Sequence, residues 1–314
     1  MAERAPIQPT THELARRHPR TPDHHELLLQ QRMRAAGLIG EYSTGLLAVI
    51  GPCAMTNAEA IIAHESRRLT QVSAENPDLL ALYRAPVWKP RTRKEDWHGL
   101  ETTDPELAYR IMVERSHDTA NMAVEIGTDP RHLSRYGDHT TLAWKGGRNH
   151  EEPALTEALA LYDPTLPVAV KNGLDGDIAP ALADVEMIET LRRGVGARAI
   201  LLFRGGLNAT NPEAWEEQYL LAHEATNGRL LVDWAHGGEQ AHDPNGKFGK
   251  SVEGQIECME HTIEIAERTG KAPAGIFAEA SSAVSPTDPV MPFETAVEGA
   301  ITLAKIKQSL AVRV

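Results

Sequence analysis

The sequence predicts an α/β fold, a (β/α)8 TIM barrel with an N-terminal helical extension, and three observations predict it. Short aliphatic runs alternate with longer amphipathic segments, the pattern of β/α units on a parallel sheet. Eight such runs are present, and eight is the number that closes a barrel. The segments between them space apolar residues at three and four positions, as helices that bury one face do.

In chain order the strand candidates are "LLAVIGP" (46–52), "LLALYRA" (79–85), "NMAVEIG" (121–127), "TTLAWKG" (140–146), "PVAVKNG" (167–173), "AILLFRG" (199–205), "LLVDWAH" (230–236) and "AGIFAEA" (274–280). Helical spacing fills 57–76, 104–120, 179–195, 211–226, 252–270 and 293–310, and several of these segments open on Asn or Asp, which cap helices well. Only "TDPRHLSRYGDH" separates the third and fourth strands, so a short or distorted helix is expected there. Residues 1–45 form a polar, Pro-punctuated arm followed by a helix over "PDHHELLLQQRMRAAGLIG", and residues 46–314 form the barrel. No internal repeat, low-complexity tract or linker divides the chain further.

Composition removes whole classes of function. With 41% hydrophobic residues and no apolar run near the length of ~20 that crosses a bilayer, the chain of 314 residues reads as soluble, with no membrane role. The opening "MAERAPIQPTTHELARRHPR" has no apolar core of a secretory signal, and two cysteines are too few for a disulfide framework, so the expected compartment is the cytoplasm. A formal charge of −12 opposes nucleic-acid binding, so any anion site must be a local cluster of cations. "VWKPRTRKEDWHGL" (87–100) supplies such a cluster, with Lys89, Arg91, Arg93 and Lys94 beside Pro90.

In a barrel, the last residues of each strand and the loops that follow line the functional face. Those positions hold Cys53, Arg84, Lys89, Glu125, Arg148, Lys171, Arg204, His236 and Glu279. Taken singly, Cys53 is a small hydrophobe, His236 a core histidine, Glu279 half of an ion pair and Asp288 a helix cap. Jointly they offer a thiolate, an imidazole and two carboxylates, a set suited to Mn, Fe, Co or Zn. Arg84, Lys89, Arg148, Lys171 and Arg204 are costly to gather in a barrel mouth unless an anion meets them, so small polyanionic substrates are implied; rim ion pairs are the alternative. "GKFGKS" (246–251) imitates a nucleotide-binding loop, but Pro244 and Asn245 stand where its leading glycine belongs.

"IGPCAM", "KPRT" followed by Trp and Gly, "KNGLDG", "RGG", "VDWAHGG" and the Glu279 to Asp288 ending resemble, in order and spacing, the type I 3-deoxy-D-arabino-heptulosonate 7-phosphate (DAHP) synthases, over roughly residues 46–305. That family condenses phosphoenolpyruvate with erythrose 4-phosphate at the entry to the shikimate pathway of aromatic amino acid biosynthesis. The resemblance implies that Cys53, His236, Glu279 and Asp288 are metal ligands. It puts Arg148, Lys171 and Arg204 on the phosphate of phosphoenolpyruvate, and Arg84 and Lys89 nearer its carboxylate. Glu125 matches a carboxylate that orients a water, and Pro90, Arg91 and Thr92 match the loop that holds erythrose 4-phosphate. Lys89 is the candidate proton donor, and a homo-oligomer is implied by the family alone.

The sequence also departs from the family. The Lys171 to Arg204 and Glu279 to Asp288 intervals are shorter than in feedback-regulated members, "VWKPRT" stands for "FEKPRT", and "DWAHGG" stands for a Ser-containing "DxSH". The last two are expected to touch the aldehyde side. Two alternatives follow: a paralogue that joins phosphoenolpyruvate to another phosphorylated or amino-substituted aldehyde, and a non-catalytic barrel that binds phosphometabolites.

Overall fold

A computed structural model describes residues 9–40, 43–88, 99–119, 121–126, 130–147, 152–193, 198–237, 239, 241–242, 251–283 and 288–312. Strands β1 (Leu46–Gly51), β2 (Leu79–Ala85), β3 (Met122–Ile126), β4 (Leu142–Lys145), β5 (Val168–Lys171), β6 (Ala199–Phe203), β7 (Leu230–Asp233) and β8 (Gly275–Ser281) pair in sequence order, all parallel. Pairing of β1 with β8, from Leu47↔Gly275 to Gly51↔Glu279, closes the eight-stranded barrel that the alternation predicted.

Strand alternation divides the side chains into two shells. Leu47, Val49, Leu80, Leu82, Ala123, Leu142, Trp144, Ala169, Ile200, Leu202, Leu231 and Phe277 fill the interior as one cluster. Their sequence neighbours, such as Ala48, Ala81, Val124, Val170, Leu201 and Val232, face the surrounding helices in a second cluster. The phase decides which polar groups reach the mouth, since the next inward positions after Leu82, Ala123, Ala169, Leu202, Leu231 and Phe277 are Arg84, Glu125, Lys171, Arg204, Asp233 and Glu279. Lys145 has the opposite phase and pairs instead with Asp184 at 2.7 Å and Thr156 at 2.8 Å, both on outer helices.

The outer helices are α3 (Glu59–Glu75), α5 (Pro105–Thr119), α6 (Pro130–Tyr136), α7 (Pro153–Tyr162), α8 (Ala179–Leu191), α9 (Pro212–Ala225), α10 (Val252–Thr269) and α11 (Phe293–Ala311), with a single turn, α4 (Leu100–Thr103), before α5. Asn211 caps α9 through the Ala214 N–H, and Asp104 accepts from the Leu107 N–H, as the Asn and Asp signals predicted. The third unit is indeed short, α6 running into a 3-10 turn over Gly137–His139.

Four features depart from expectation. α7 lies outside the helical segments expected from apolar spacing, although "PALTEALALY" has Pro at its first turn and buries Leu155, Thr156, Leu159 and Ala160. A short strand β9 (Met291–Pro292) pairs with the end of β8, and α1 (Thr11–Arg17) forms inside the polar arm through a capping box between Thr10 and Glu13. Strands six and seven end early, leaving Arg204 just past β6 and His236 three residues past β7. β7 stops because the Asp233 carboxylate accepts the Ala235 and His236 N–H groups, each at 3.0 Å, and turns the chain.

The predicted N-terminal helix, α2 (Pro22–Leu38), lies across the N-terminal mouth of the barrel. Ala35, with Ile39 just beyond the helix end, joins the interior cluster. Arg32 is 2% exposed and donates to the carbonyls of Thr140 and Gly137 and to Asp163, while Arg34 donates to the carbonyls of Pro77 and Leu79. These bonds satisfy backbone groups at the lower ends of the strands. No described helix is long and apolar enough to cross a membrane.

Candidate active site

The sulfur of Cys53 and carboxylate oxygens of Glu279 and Asp288 lie within 4.8 Å of one another at the C-terminal mouth. Cys53 follows β1, Glu279 lies in β8, and Asp288 comes back from the excursion between β8 and β9. The Cys53 Sγ stands 3.0 Å from Asp288 Oδ2. His236 approaches from the turn after β7, its Nε2 3.8 Å from Glu279 Oε1. Sulfur and two carboxylates thus gather at one point, with the His236 imidazole at the edge of the group and outside the 4.8 Å set, and such donors fit a divalent transition metal.

Arg84 ties this group together. Its guanidinium donates to the carbonyl of Pro52, to that of Cys53 at 3.0 Å and to Glu279 at 2.8 Å, with 2% exposure. Phe277 forms the floor, its ring centroid 4.9 Å from the Arg84 guanidinium carbon and 5.6 Å from the Lys171 Nζ. An aromatic face under two cations favours their charged forms without neutralising them.

Asp233, absent from the sequence-derived set, is the central anion of the opposite side. Fully buried, it accepts from Lys171 Nζ at 2.5 Å and stands 2.9 Å from His236 Nδ1. Burial alone would raise its pKa; the charges of His236 and Lys171 overcome that and hold it well below the usual carboxylate range. A carboxylate on Nδ1 leaves Nε2, the atom facing Glu279, as the ring's donor to a metal. Burial depresses the Lys171 pKa to about 8, against the pull of Asp233 and with a smaller push from Arg204. The strand phase in "LLVDWAH" marks Asp233 as inward-facing, a signal that was legible but not used.

Arg204 is positioned through its own backbone by the Asn172 side chain. Its N–H donates to Asn172 Oδ1 at 2.8 Å, while the Asn172 amide donates to the carbonyls of Gly173 and Gly205, so "KNG" and "RGG" lock onto each other. Gly205 has φ +71°, and a side chain there would meet the Trp215 ring at 2.7 Å, so glycine is required. The Arg204 guanidinium reaches Glu239 at 3.6 Å. Glu125 is 7% exposed on β3, one layer above Ala123. The described cations Arg84, Lys171 and Arg204 therefore each have a carboxylate partner.

Lys89, Pro90, Arg91, Thr92 and Arg148 lie outside the described residues. The "DWAHGG" departure is Ala235, where the family's pattern has serine; it is 3% exposed, and its N–H donates to the Asp233 carboxylate at 3.0 Å. Trp234, the variable position of that pattern, is one residue past the inward Asp233 and lies fully buried in the barrel-to-helix layer.

Fold and site together define a (β/α)8-barrel enzyme whose cations, carboxylates, thiol and imidazole meet at the C-terminal mouth. The chain belongs to the DAHP synthetase I family, whose sequence profile matches residues 30–282. Phospho-2-dehydro-3-deoxyheptonate aldolase of Corynebacterium glutamicum is 25% identical over 297 residues, spanning 86% of this chain and 78% of that protein. The tyrosine-inhibited enzyme of the same name from Candida albicans is 25% identical over 335 residues, spanning 92% and 87%. The solved structure of phospho-2-dehydro-3-deoxyheptonate aldolase from Francisella tularensis SCHU S4 superposes with a TM-score of 0.77 at 19% identity, covering 98% of this chain and 99% of that one.

Proposed function

We propose that this chain condenses phosphoenolpyruvate with erythrose 4-phosphate, giving 3-deoxy-D-arabino-heptulosonate 7-phosphate and inorganic phosphate. The observation that carries the reading is the meeting of Cys53, Glu279 and Asp288 within 4.8 Å, beside buried cations, in a member of this family. Cys53, His236, Glu279 and Asp288 hold a divalent cation, which when bound supplies Lewis acidity toward the aldehyde carbonyl.

Lys171 and Arg204, with Arg148, grip the donor phosphate. Arg84 and Lys89 bind the donor carboxylate, and Pro90, Arg91 and Thr92 hold the acceptor. Holding two polyanions together against their repulsion is the main contribution of these cations. The C3 carbon of phosphoenolpyruvate attacks the aldehyde carbon, and Lys89 gives a proton to the new hydroxyl. Glu125 orients a water onto C2 and takes its proton; the resulting hemiketal phosphate then loses phosphate by C–O cleavage.

The test is phosphoenolpyruvate consumption and phosphate release measured against a panel of aldehydes, before and after chelation. Turnover with erythrose 4-phosphate, abolished by chelator and restored by Mn2+ or Co2+, is the expected result. Turnover only with another phosphorylated or amino-substituted aldehyde would establish the paralogous reading, and full turnover after chelation would refute the metal assignment.

A further inference from the structure

The excursion that carries Asp288 leaves β8 at Ser281 and returns beside it, where β9 pairs Ala280↔Met291 and Ser281↔Pro292. Its returning end is held by Gln255 of α10, which donates to the Pro289 carbonyl at 3.0 Å. Its departing end is held by Glu65 of α3. That side chain is fully buried, and its Oε1 accepts from Ser281 Oγ at 2.9 Å, Ser282 N–H at 2.6 Å and Ser282 Oγ at 2.8 Å.

The placement is specific to the closing seam of the barrel. α3 is the helix that follows β1 and the Cys53 loop, whereas Ser281 and Ser282 follow Glu279 on β8. Gly51 and Glu279 are register partners, so Cys53 and Ser281 each stand two residues beyond one paired level. A cavity of about 30 Å³ between the two loops is lined by Pro52 and Ala54 from one side, Ser281 and Ala283 from the other, and Glu65 and Tyr83 behind. A buried carboxylate is costly unless donors meet it, and here the post-β8 segment supplies three bonds, all to Oε1.

We propose that Glu65 is a positioning residue for the metal centre: by fixing where the chain leaves β8, it sets Asp288 against Cys53 and Glu279. The proposal rests on the reading of those residues as metal ligands. Glu65 touches none of the reacting groups and acts through Ser281 and Ser282. Groups bonded directly to metal ligands tune affinity by about 10- to 100-fold, which bounds the effect of a residue acting through the segment that joins two of them.

The experiment is Mn2+ titration by calorimetry on the purified full chain, paired with amide hydrogen exchange at Ser282. Glu65→Ala is expected to weaken Mn2+ binding by up to about 10- to 100-fold and to accelerate Ser282 exchange, while Glu65→Gln, which keeps an acceptor oxygen, retains most of the affinity. If Glu65→Ala fails to fold, the double variant Ser281→Ala, Ser282→Ala removes two of the three bonds and is expected to lose affinity in the same direction. Wild-type Mn2+ affinity in a folded Glu65→Ala chain, or in that double variant, overturns the proposal. Cys53→Ala separates the two readings. If it loses Mn2+ binding while Glu65→Ala does not, only the positioning role is wrong, whereas a wild-type chain that binds no Mn2+ overturns the ligand assignment and this proposal with it.

Discussion

Acidification should destabilise the fold through two histidines far from the active-site mouth. His24 in the first turn of α2 and His139 in the 3-10 turn are 3% and 2% exposed, their rings stacked with centroids 5.9 Å apart, and His117 lies 4.4 Å from His24. Burial first, then neighbouring positive groups including Arg20, depresses His24 to about 4 and His139 to about 3. Folding therefore favours the neutral rings. Stability from this source is fully present above the unfolded value of about 6.5, and it falls with pH because the unfolded chain then takes up protons that the native one refuses. Between that value and pH 5 lie about 1.5 units at 1.36 kcal/mol each, so each ring removes about 2 kcal/mol by pH 5. The two add to at most about 4 kcal/mol, because uptake occurs in the unfolded chain, where the rings do not interact. Urea unfolding at pH 7 and pH 5 measures the loss. Carboxylates contribute alike to wild type and to a His24→Gln, His139→Gln variant, so the difference in pH dependence isolates the rings. Equal pH dependence in the two proteins would refute the reasoning.

Arg204→Ala should weaken phosphoenolpyruvate binding by about 2 to 5 kcal/mol, the scale for deleting one partner of a desolvated charge pair, and calorimetry showing unchanged donor affinity would remove Arg204 from the site. Asp233→Asn should cost about 3 to 5 kcal/mol of stability by leaving Lys171 without its anion, measured by urea unfolding at pH 7; a loss under 1 kcal/mol would mean that His236 and solvent replace it. Phe, Tyr and Trp should not inhibit. Inhibitor pockets in the regulated enzymes that this sequence resembles use an extra hairpin between strands five and six, and among the described residues that interval contains one helix, α8, and no strand. Half-inhibition at micromolar concentration of any of the three, measured at sub-saturating phosphoenolpyruvate, would overturn this.

The barrel was legible because strands buried on both faces read as aliphatic runs and a closed parallel barrel of this kind needs eight of them. α1 was hidden because its seven residues sit between prolines and its formation depends on one capping box. For the site, reading strand ends was enough to find Arg84, Lys171, Arg204 and Glu279, whose inward phase follows from their strands. Asp233 obeys the same phase and was overlooked beside the more conspicuous His236. Glu65 had no such signal. It lies on a helix, and its partner Ser281 is 216 positions away, so only the closure of β1 against β8 brings them together.

The plug that α2 makes across the lower mouth has a consequence for cooperativity. Ala35 and Ile39 belong to the same interior cluster as Leu47, Leu80, Leu231 and Phe277, so the N-terminal extension and the barrel share one core and are expected to melt together. Cutting the chain after α2 would therefore strip the lowest layer from the barrel instead of trimming a loose arm.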